Sequence, residues 1–266
     1  MTTETAKSIA DAYGWQRGLG HSCVATPHCR IVANPAHPDV WDANHADRIT
    51  ARTPDEIEAV LAAMDHHLPH TSWRVAHTDG FTPDPFLARL AFEGFEERPV
   101  ILQMALQGDV TDRGADIAMR PVATDADWDL LQHLVILDQA EGRKTGDLAL
   151  SRAFAASWVA ANRAKGADYP YCLVMRDGEA VAYGACAVAP NGVGMIDDLF
   201  TLPFARRTGI ATGLIAAFVD RLRAAGCETI FLGALATEPP RRLYARLGFR
   251  PVALARSWVR DTRVPT

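Results

Sequence analysis

The sequence predicts an α/β protein with a mixed sheet and two domains. A chain of 266 residues is long for a single domain, which favours two. A polar, glycine-rich segment at 108–116 separates two apolar stretches, so we place the first domain at 1–112 and the second at 117–262. Strand and helix patterns alternate along the second domain, as expected of a sheet covered by helices.

Composition narrows the functional class. The chain is 48% hydrophobic and 22% charged, and its net charge of −5 gives no basic footprint for nucleic acid. It has no run of about 18 apolar residues, so no membrane span is predicted. The N-terminus lacks a basic segment followed by an apolar core, and the five cysteines show no C-x-x-C spacing. We therefore expect a cytoplasmic protein with reduced thiols.

The first half of the second domain is predicted to contain two helices between strands. After a strand at 117–122, Thr124 is placed to cap a helix that runs to about 139, and a second helix follows at 151–164. A hairpin at 171–189 then turns at Asp177-Gly178, a strong turn signal.

The second half of this domain alternates strands and helices. A strand at 195–202 leads through a basic, proline-containing turn to a helix at 213–225, which Gly226 ends. A short strand at 228–233 and a helix that closes on Gly248-Phe249 follow.

The basic turn carries most of the functional information. Arg206-Arg207-Thr208-Gly209-Ile210-Ala211 follows an apolar strand and opens a helix. Backbone N–H groups in such a turn, together with the positive end of the helix, converge on one point where a pyrophosphate can bind. The small residues Gly209 and Ala211 allow a ligand to approach the main chain, and the two arginines add positive charge.

Two motifs in this order resemble those of a known family. The spacing Arg206-x-x-Gly209-x-Ala211 resembles the acyl-CoA signature of the GCN5-related N-acetyltransferases, the GNAT superfamily. Leu243-Tyr244-x-x-x-Gly248-Phe249 resembles the second signature of the same family. The resemblance covers about 118–260 and implies the GNAT acyl-CoA N-acyltransferase fold in this half of the chain.

The resemblance also implies where the acyl donor binds. In the family, the pantetheine arm lies between two splayed strands, and the first of these corresponds to 197–202. N–H groups near Leu199 to Thr201 would polarise the thioester carbonyl. The implied cofactor contacts are Leu199, Phe200, Thr201, Arg206, Arg207, Thr208, Gly209, Ile210, Ala211, Thr212 and Thr237.

Tyr244 matches the family tyrosine that protonates the departing thiolate. A phenol, with an ordinary pKa of about 10, is a suitable donor to a thiolate at neutral pH. The alternative is a core aromatic whose hydroxyl finds a partner. The family's upstream asparagine is replaced here by Thr237, which departs from the pattern.

Two adjacent aspartates lie within the first splayed strand. A strand covered on both faces should be nearly all apolar, and neighbouring side chains on a strand point to opposite faces. We expect Asp198, or else Asp197, to face the acceptor cleft as a general base acting through water or as a site for the substrate ammonium. Pairing with an arginine or capping a loop is the alternative for either residue.

The first domain carries a weaker copy of the second signature. The helix end at 90–95 closes on Gly94-Phe95 and places Leu90 where Tyr244 lies in the second domain. No Arg-x-x-Gly-x-Ala turn occurs in residues 1–110. A smaller, degenerate GNAT-like α/β domain without a cofactor site is predicted, and an unrelated α/β domain is the alternative.

Together these features predict an N-acetyltransferase with acetyl-CoA as co-substrate. A primary amine of a small molecule would attack the thioester directly in a ternary complex, since no cysteine lies in a motif typical of an activated nucleophile. The first domain would wall the acceptor cleft or mediate homodimerisation. No metal is expected, because Pro69 breaks the helix between His66 and His70. The alternatives are a CoA-binding sensor without turnover and an acetyltransferase of protein N-termini or lysines.

Overall fold

The computed structural model describes residues 2–142 and 148–263, with residues 142 and 148–151 described by their backbone alone. Its helices are α1 (Thr3–Gly18), α2 (Pro54–His67), α3 (Asp84–Phe92), α4 (Asp125–Gly142), α5 (Leu148–Arg163), α6 (Ile210–Ala224) and α7 (Pro240–Arg246). Its strands are β1 (Ser22–Ala25), β2 (Arg30–Ala33), β3 (His45–Asp47), β4 (Trp73–Thr78), β5 (Glu96–Glu97), β6 (Ile101–Leu106), β7 (Ala118–Pro121), β8 (Tyr171–Arg176), β9 (Glu179–Val188), β10 (Gly194–Thr201), β11 (Ile230–Leu235) and β12 (Phe249–Asp261).

The chain forms two compact units that interleave in sequence. Unit 1 comprises the chain up to Gln103, Ala234–Arg241 and the chain from Pro251 on, whereas unit 2 comprises Met104–Gly233 and Arg242–Arg250. The α/β class with mixed sheet is confirmed. The sequence domains 1–112 and 117–262 stay a prediction, since compact units and sequence domains are different divisions of a chain.

In unit 1 the strand order is β1-β2-β3-β4-β12, and β5 pairs with β12. β3 and β4 run parallel, and β4 pairs antiparallel with β12 from Thr78↔Arg256 to Trp73↔Asp261. Helices α2 and α3 contribute the apolar core, in which Met64, Phe86 and Leu90 are fully buried.

In unit 2 the strand order is β11-β10-β9-β8-β7. β10 runs parallel to β11 and antiparallel to β9. On one face, Tyr183 of β9 contacts α4, and Trp158 of α5 packs against Tyr171 of β8. On the other face, a Cβ at Gly184 of β9 would lie 3.0 Å from Phe218 of α6, so the absent side chain lets this helix approach the sheet.

Both units contain the same strand–helix–strand–helix order. β3-α2-β4-α3 in unit 1 matches β10-α6-β11-α7 in unit 2, and each pair of strands is parallel. The second helix of each set, α3 or α7, is followed by a left-handed glycine, Gly94 with φ +75° and Gly248 with φ +104°. This repetition explains the similarity between the two Gly-Phe helix ends in the sequence.

Several local predictions are confirmed. Asp127 Oδ2 accepts from the N–H and hydroxyl of Thr124, whose Oγ1 in turn accepts from Asp127 N–H, which closes the N-terminus of α4. Asp177 and Gly178 are both left-handed, as a type I′ turn requires. Gly226, with φ +87°, follows the end of α6. Within the described residues, the helices are too short or too polar to cross a bilayer.

Candidate acyl-donor site

β10 stops pairing with β11, its parallel neighbour, several residues before β10 itself ends. The β10–β11 register runs from Gly194↔Ile230 to Ile196↔Leu232, although β10 continues to Thr201. The register with β9 also shifts between Asp197 and Phe200, and Asp198 has φ +53°. A β-bulge with a left-handed residue bends the strand locally. The edge of β10 from 197 to 201 is therefore open toward the β11 side, at the place predicted for the splayed strand.

The turn after β10 gives α6 an uncapped N-terminus. Gly209 is the N-cap residue, its φ of +84° is left-handed, and it has no side chain to accept from the helix. The first backbone bond of α6 runs from Gly213 N–H to Gly209 C=O at 2.9 Å. The four N–H groups of 209–212 donate to no described residue. Free N–H groups at the positive end of a helix dipole are groups that an anion can satisfy.

In unit 1, α2 matches α6, and side chains cap its N-terminus. Thr53 caps α2 by accepting from Glu56 N–H at 3.4 Å. The Glu56 carboxylate accepts from the N–H groups of Arg52 and Thr53 at 2.7 and 3.0 Å, and these bonds lower the pKa of Glu56. A carboxylate of the chain itself thus satisfies N–H groups at the start of α2, and unit 1 lacks the open helix end of unit 2.

The two arginines of the turn have different environments. Arg206 donates through Nη1 and Nη2 to the two oxygens of Glu141 on α4, both at 2.6 Å, and through Nε to Thr201 C=O at 2.9 Å. Arg207 is exposed, has φ +63°, and forms no ion pair with any residue that the structure describes. Arg207 is therefore the cation of this turn that is open to a ligand.

The paired aspartates of β10 share one set of partners. Tyr169 Oη lies 3.2 Å from Asp197 Oδ2 and 3.5 Å from Asp198 Oδ2, and Tyr171 Oη donates to Asp198 at 2.5 Å. The expectation that the two carboxylates point to opposite faces is wrong. The left-handed backbone at Asp198 breaks the alternation of the strand and turns both carboxylates toward the same tyrosines.

Three buried tyrosines hold carboxylates on the face covered by α4 and α5. Burial, followed by the nearby carboxylate charges, raises the pKa values of Tyr169 and Tyr171 well above their ordinary value. Tyr183, with its pKa raised in the same way, donates to Asp138 of α4 at 3.0 Å. The phenols therefore remain protonated donors at neutral pH. Sequence reasoning did not identify them, because a buried tyrosine carries no motif.

The remaining predicted residues lie on three elements. Leu199 and Thr201 are half-buried on β10, and Phe200 is buried against Tyr183 at a ring distance of 5.7 Å. Tyr244 is buried on α7, and Thr237 is exposed in the loop that follows β11.

A sequence model of the acetyltransferase (GNAT) family matches residues 131–249. No curated protein matches the chain. The fold is similar to that of a GCN5-related N-acetyltransferase from Kribbella flavida, with a TM-score of 0.67, 19% identity, and coverage of 96% of this chain and 95% of that chain.

Two further solved structures share the fold. One is a conserved protein of unknown function from Staphylococcus epidermidis, with a TM-score of 0.67, 14% identity, and coverage of 91% of this chain and 94% of the other. The second is a tandem GNAT protein from the clavulanic acid biosynthesis pathway, with a TM-score of 0.59, 15% identity, and coverage of 90% and 79%.

Residues 131–249 therefore match the GNAT family in sequence, and the chain as a whole has a fold similar to that of a tandem GNAT protein. This confirms the resemblance drawn from the two motifs and from the repeated Gly-Phe helix end. The family consists of acyltransferases that use acetyl-CoA or CoA.

Proposed function

We propose that this protein is an acetyl-CoA-dependent N-acetyltransferase whose acceptor is a primary amine of a small molecule. One observation carries the proposal. After β10, which has separated from its parallel neighbour, and the turn that follows it, α6 begins with four backbone N–H groups that have no acceptor among the described residues. Such groups are satisfied by an anion, and the match to the GNAT family makes the pyrophosphate of acetyl-CoA the fitting one.

The chain's own residues suit the steps of acyl transfer. The N–H groups of 209–212 hold the pyrophosphate, and main-chain groups at 199–201 on the open edge of β10 orient the thioester. When bound, acetyl-CoA supplies an activated acetyl group. Asp198, held by Tyr171, accepts a proton from the amine through water or fixes its ammonium form. Tyr244 on α7 supplies the proton that the leaving thiolate needs.

The first test is titration calorimetry with acetyl-CoA on the full chain and on Ala211→Asp. Ala211 is the second residue of α6, where aspartate is favourable for the helix, so the fold should persist while the carboxylate repels the pyrophosphate. We expect one site per chain and at least a tenfold loss of affinity, about 1.4 kcal/mol, in the variant. Gly209→Asp would be ambiguous, because a side chain at φ +84° also strains the backbone.

Ala126→Asp is the matched control. Ala126 is exposed and is also the second residue of its helix, α4, so the substitution adds the same charge at the same helical position. This variant should bind acetyl-CoA as the parent chain does. Equal affinity of Ala211→Asp and the parent would refute a pyrophosphate site at α6.

Turnover separates the enzyme from a sensor. Release of CoA thiol would be measured with a panel of primary amines, and with peptides that carry free N-termini or lysines. Thiol release with a small amine supports the proposal. Binding without thiol release from any acceptor would point to a sensor, and release with peptides alone would point to a protein acetyltransferase.

A further inference from the structure

Residues 112–117 of unit 2 lie across the first turn of α6, and we call this segment the strap. Ala115 N–H donates to Gly209 C=O at 3.2 Å. At the start of the strap, Arg113 forms an ion pair with Asp220, further along α6, and its Nη1 donates to Asp220 Oδ1 at 3.0 Å. The strap is thus fixed at two points on the helix that carries the open N-terminus.

Three glycines make the crossing tight. A Cβ at Gly114, which has φ +65°, would lie 2.5 Å from both Gly209 C=O and Gly213 N. A Cβ at Gly209 would lie 2.8 Å from Ala115 N, and one at Gly213 would clash with Ala115 C=O. Side chains at these positions would therefore push the strap away from α6.

The side of the strap next to the glycine crossing borders open space. Next to it, a cavity of ≈ 250 Å³ lies between Ala115–Ala118 of the strap region, the end of β8 and the turn residues Thr208 and Ile210. Because this space is not filled by side chains, the backbone contacts at the glycines are what hold the strap against the turn.

The strap acts on the peptide group that matters for anion binding. Gly209 C=O accepts both from Gly213 N–H of the helix, at 2.9 Å, and from Ala115 N–H of the strap, at 3.2 Å. A peptide group is planar and trans, so fixing Gly209 C=O also fixes the opposite direction of Ile210 N–H. The strap therefore bonds to the carbonyl of Gly209 and to none of the N–H groups of 209–212, which have no acceptor among the described residues.

We propose that Gly114 and Ala115 are positioning residues for acetyl-CoA, because the strap sets the direction of the N–H groups at the start of α6. This inference rests on the proposed function. Neither residue needs to touch the ligand. Breaking the crossing should lower the affinity for acetyl-CoA while the sheet and the rest of α6 persist.

The test compares Gly114→Ala with Gly192→Ala. Gly192 also has a left-handed φ, +78°, but a Cβ there meets no atom within 4 Å, so this control carries the backbone strain without the clash. We expect Gly114→Ala to weaken acetyl-CoA binding about tenfold or more, and Gly192→Ala less than about twofold. Gly213→Ala, which alone would favour the helix, should also weaken binding.

Hydrogen exchange of the ligand-free protein provides a second readout. Gly114→Ala should accelerate exchange of the first bonded amides of α6, from Gly213 on, whereas Gly192→Ala should not. Equal affinities and equal exchange in Gly114→Ala and the parent would overturn the proposal, and so would equal effects of the two variants. If the parent does not bind acetyl-CoA, the proposed function fails, and the exchange result alone decides whether the strap orients α6.

Discussion

At the scale of single residues, the candidate site combines one tyrosine from a motif with a carboxylate that no motif marks clearly. Tyr244 is buried on α7, and Asp198 lies on the bulge of β10 with Tyr171 as its donor. The two side chains therefore have separate tasks in the proposed reaction. Tyr244 acts on the leaving thiolate, and Asp198 acts on the amine.

These separate tasks give distinct kinetic expectations. Tyr244→Phe should lower kcat by about 10²- to 10⁴-fold and leave the Kd for acetyl-CoA unchanged, because only proton donation is lost. Asp198→Asn should lower kcat/KM for the amine. Thiol-release kinetics and calorimetry measure both effects. An unchanged kcat in Tyr244→Phe would leave the tyrosine as a core aromatic.

At the scale of elements, the turn before α6 is linked to α4 through Arg206 and Glu141. The bidentate pair satisfies the guanidinium and neutralises its charge. Sequence reasoning assigned both arginines to the cofactor, since spacing along the chain does not reveal a partner 65 residues away.

This difference predicts unequal effects for the two arginines. Arg207→Gln should weaken acetyl-CoA binding about two- to fivefold at low salt and less at high salt, because an exposed charge is screened. Arg206→Gln should change binding little and should cost less than about 1 kcal/mol of stability, as should Glu141→Gln. Calorimetry at two salt concentrations and urea unfolding test these expectations. A larger loss of affinity in Arg206→Gln would assign the phosphate contact to Arg206.

How far the sequence predicted each element depends on how local its cause is. The cap at Thr124, the turn at Asp177-Gly178 and the end of α6 at Gly226 follow from neighbouring residues and were predicted correctly. The bulge at Asp198 was not predicted, because a register shift depends on β9 as well as β10. For the same reason, the tyrosines around the aspartates could not be placed from spacing alone.

At the scale of the whole molecule, the interior of unit 1 contains two buried histidines, His45 and His77. In unit 1, buried His77 lies with Nε2 3.0 Å from Asp42 Oδ1 and Nδ1 2.8 Å from Ser257 Oγ. Its ring packs on buried His45 at 4.5 Å. Burial, followed by the charges of Arg17 and His45, lowers the pKa of His77 to about 3.

Because His77 is buried, we expect the free energy of unfolding to decrease in mild acid. The folded chain keeps His77 neutral, whereas the unfolded chain protonates it below its ordinary pKa of 6.5. The unfolded state therefore binds more protons between pH 6.5 and 3, and stability falls as pH falls through this window. One such group contributes a slope of up to about 1.4 kcal/mol per pH unit.

Urea unfolding of the full chain from pH 7.5 to 4.5 measures this slope. His77→Gln should show a shallower slope than the parent, since one of the protons taken up on unfolding is removed. An identical slope in the variant would place the proton uptake at other groups.

The N-termini of α2 and α6 differ, because side chains cap the first and leave the second open. The side chains of Thr53 and Glu56 cap the N-terminus of α2, and unit 1 still has its helices, its strands and its apolar core. Side chains that cap α2 therefore leave the strands and the core of unit 1 in place. The same strand–helix–strand–helix arrangement supports a capped helix end in unit 1 and an open one in unit 2.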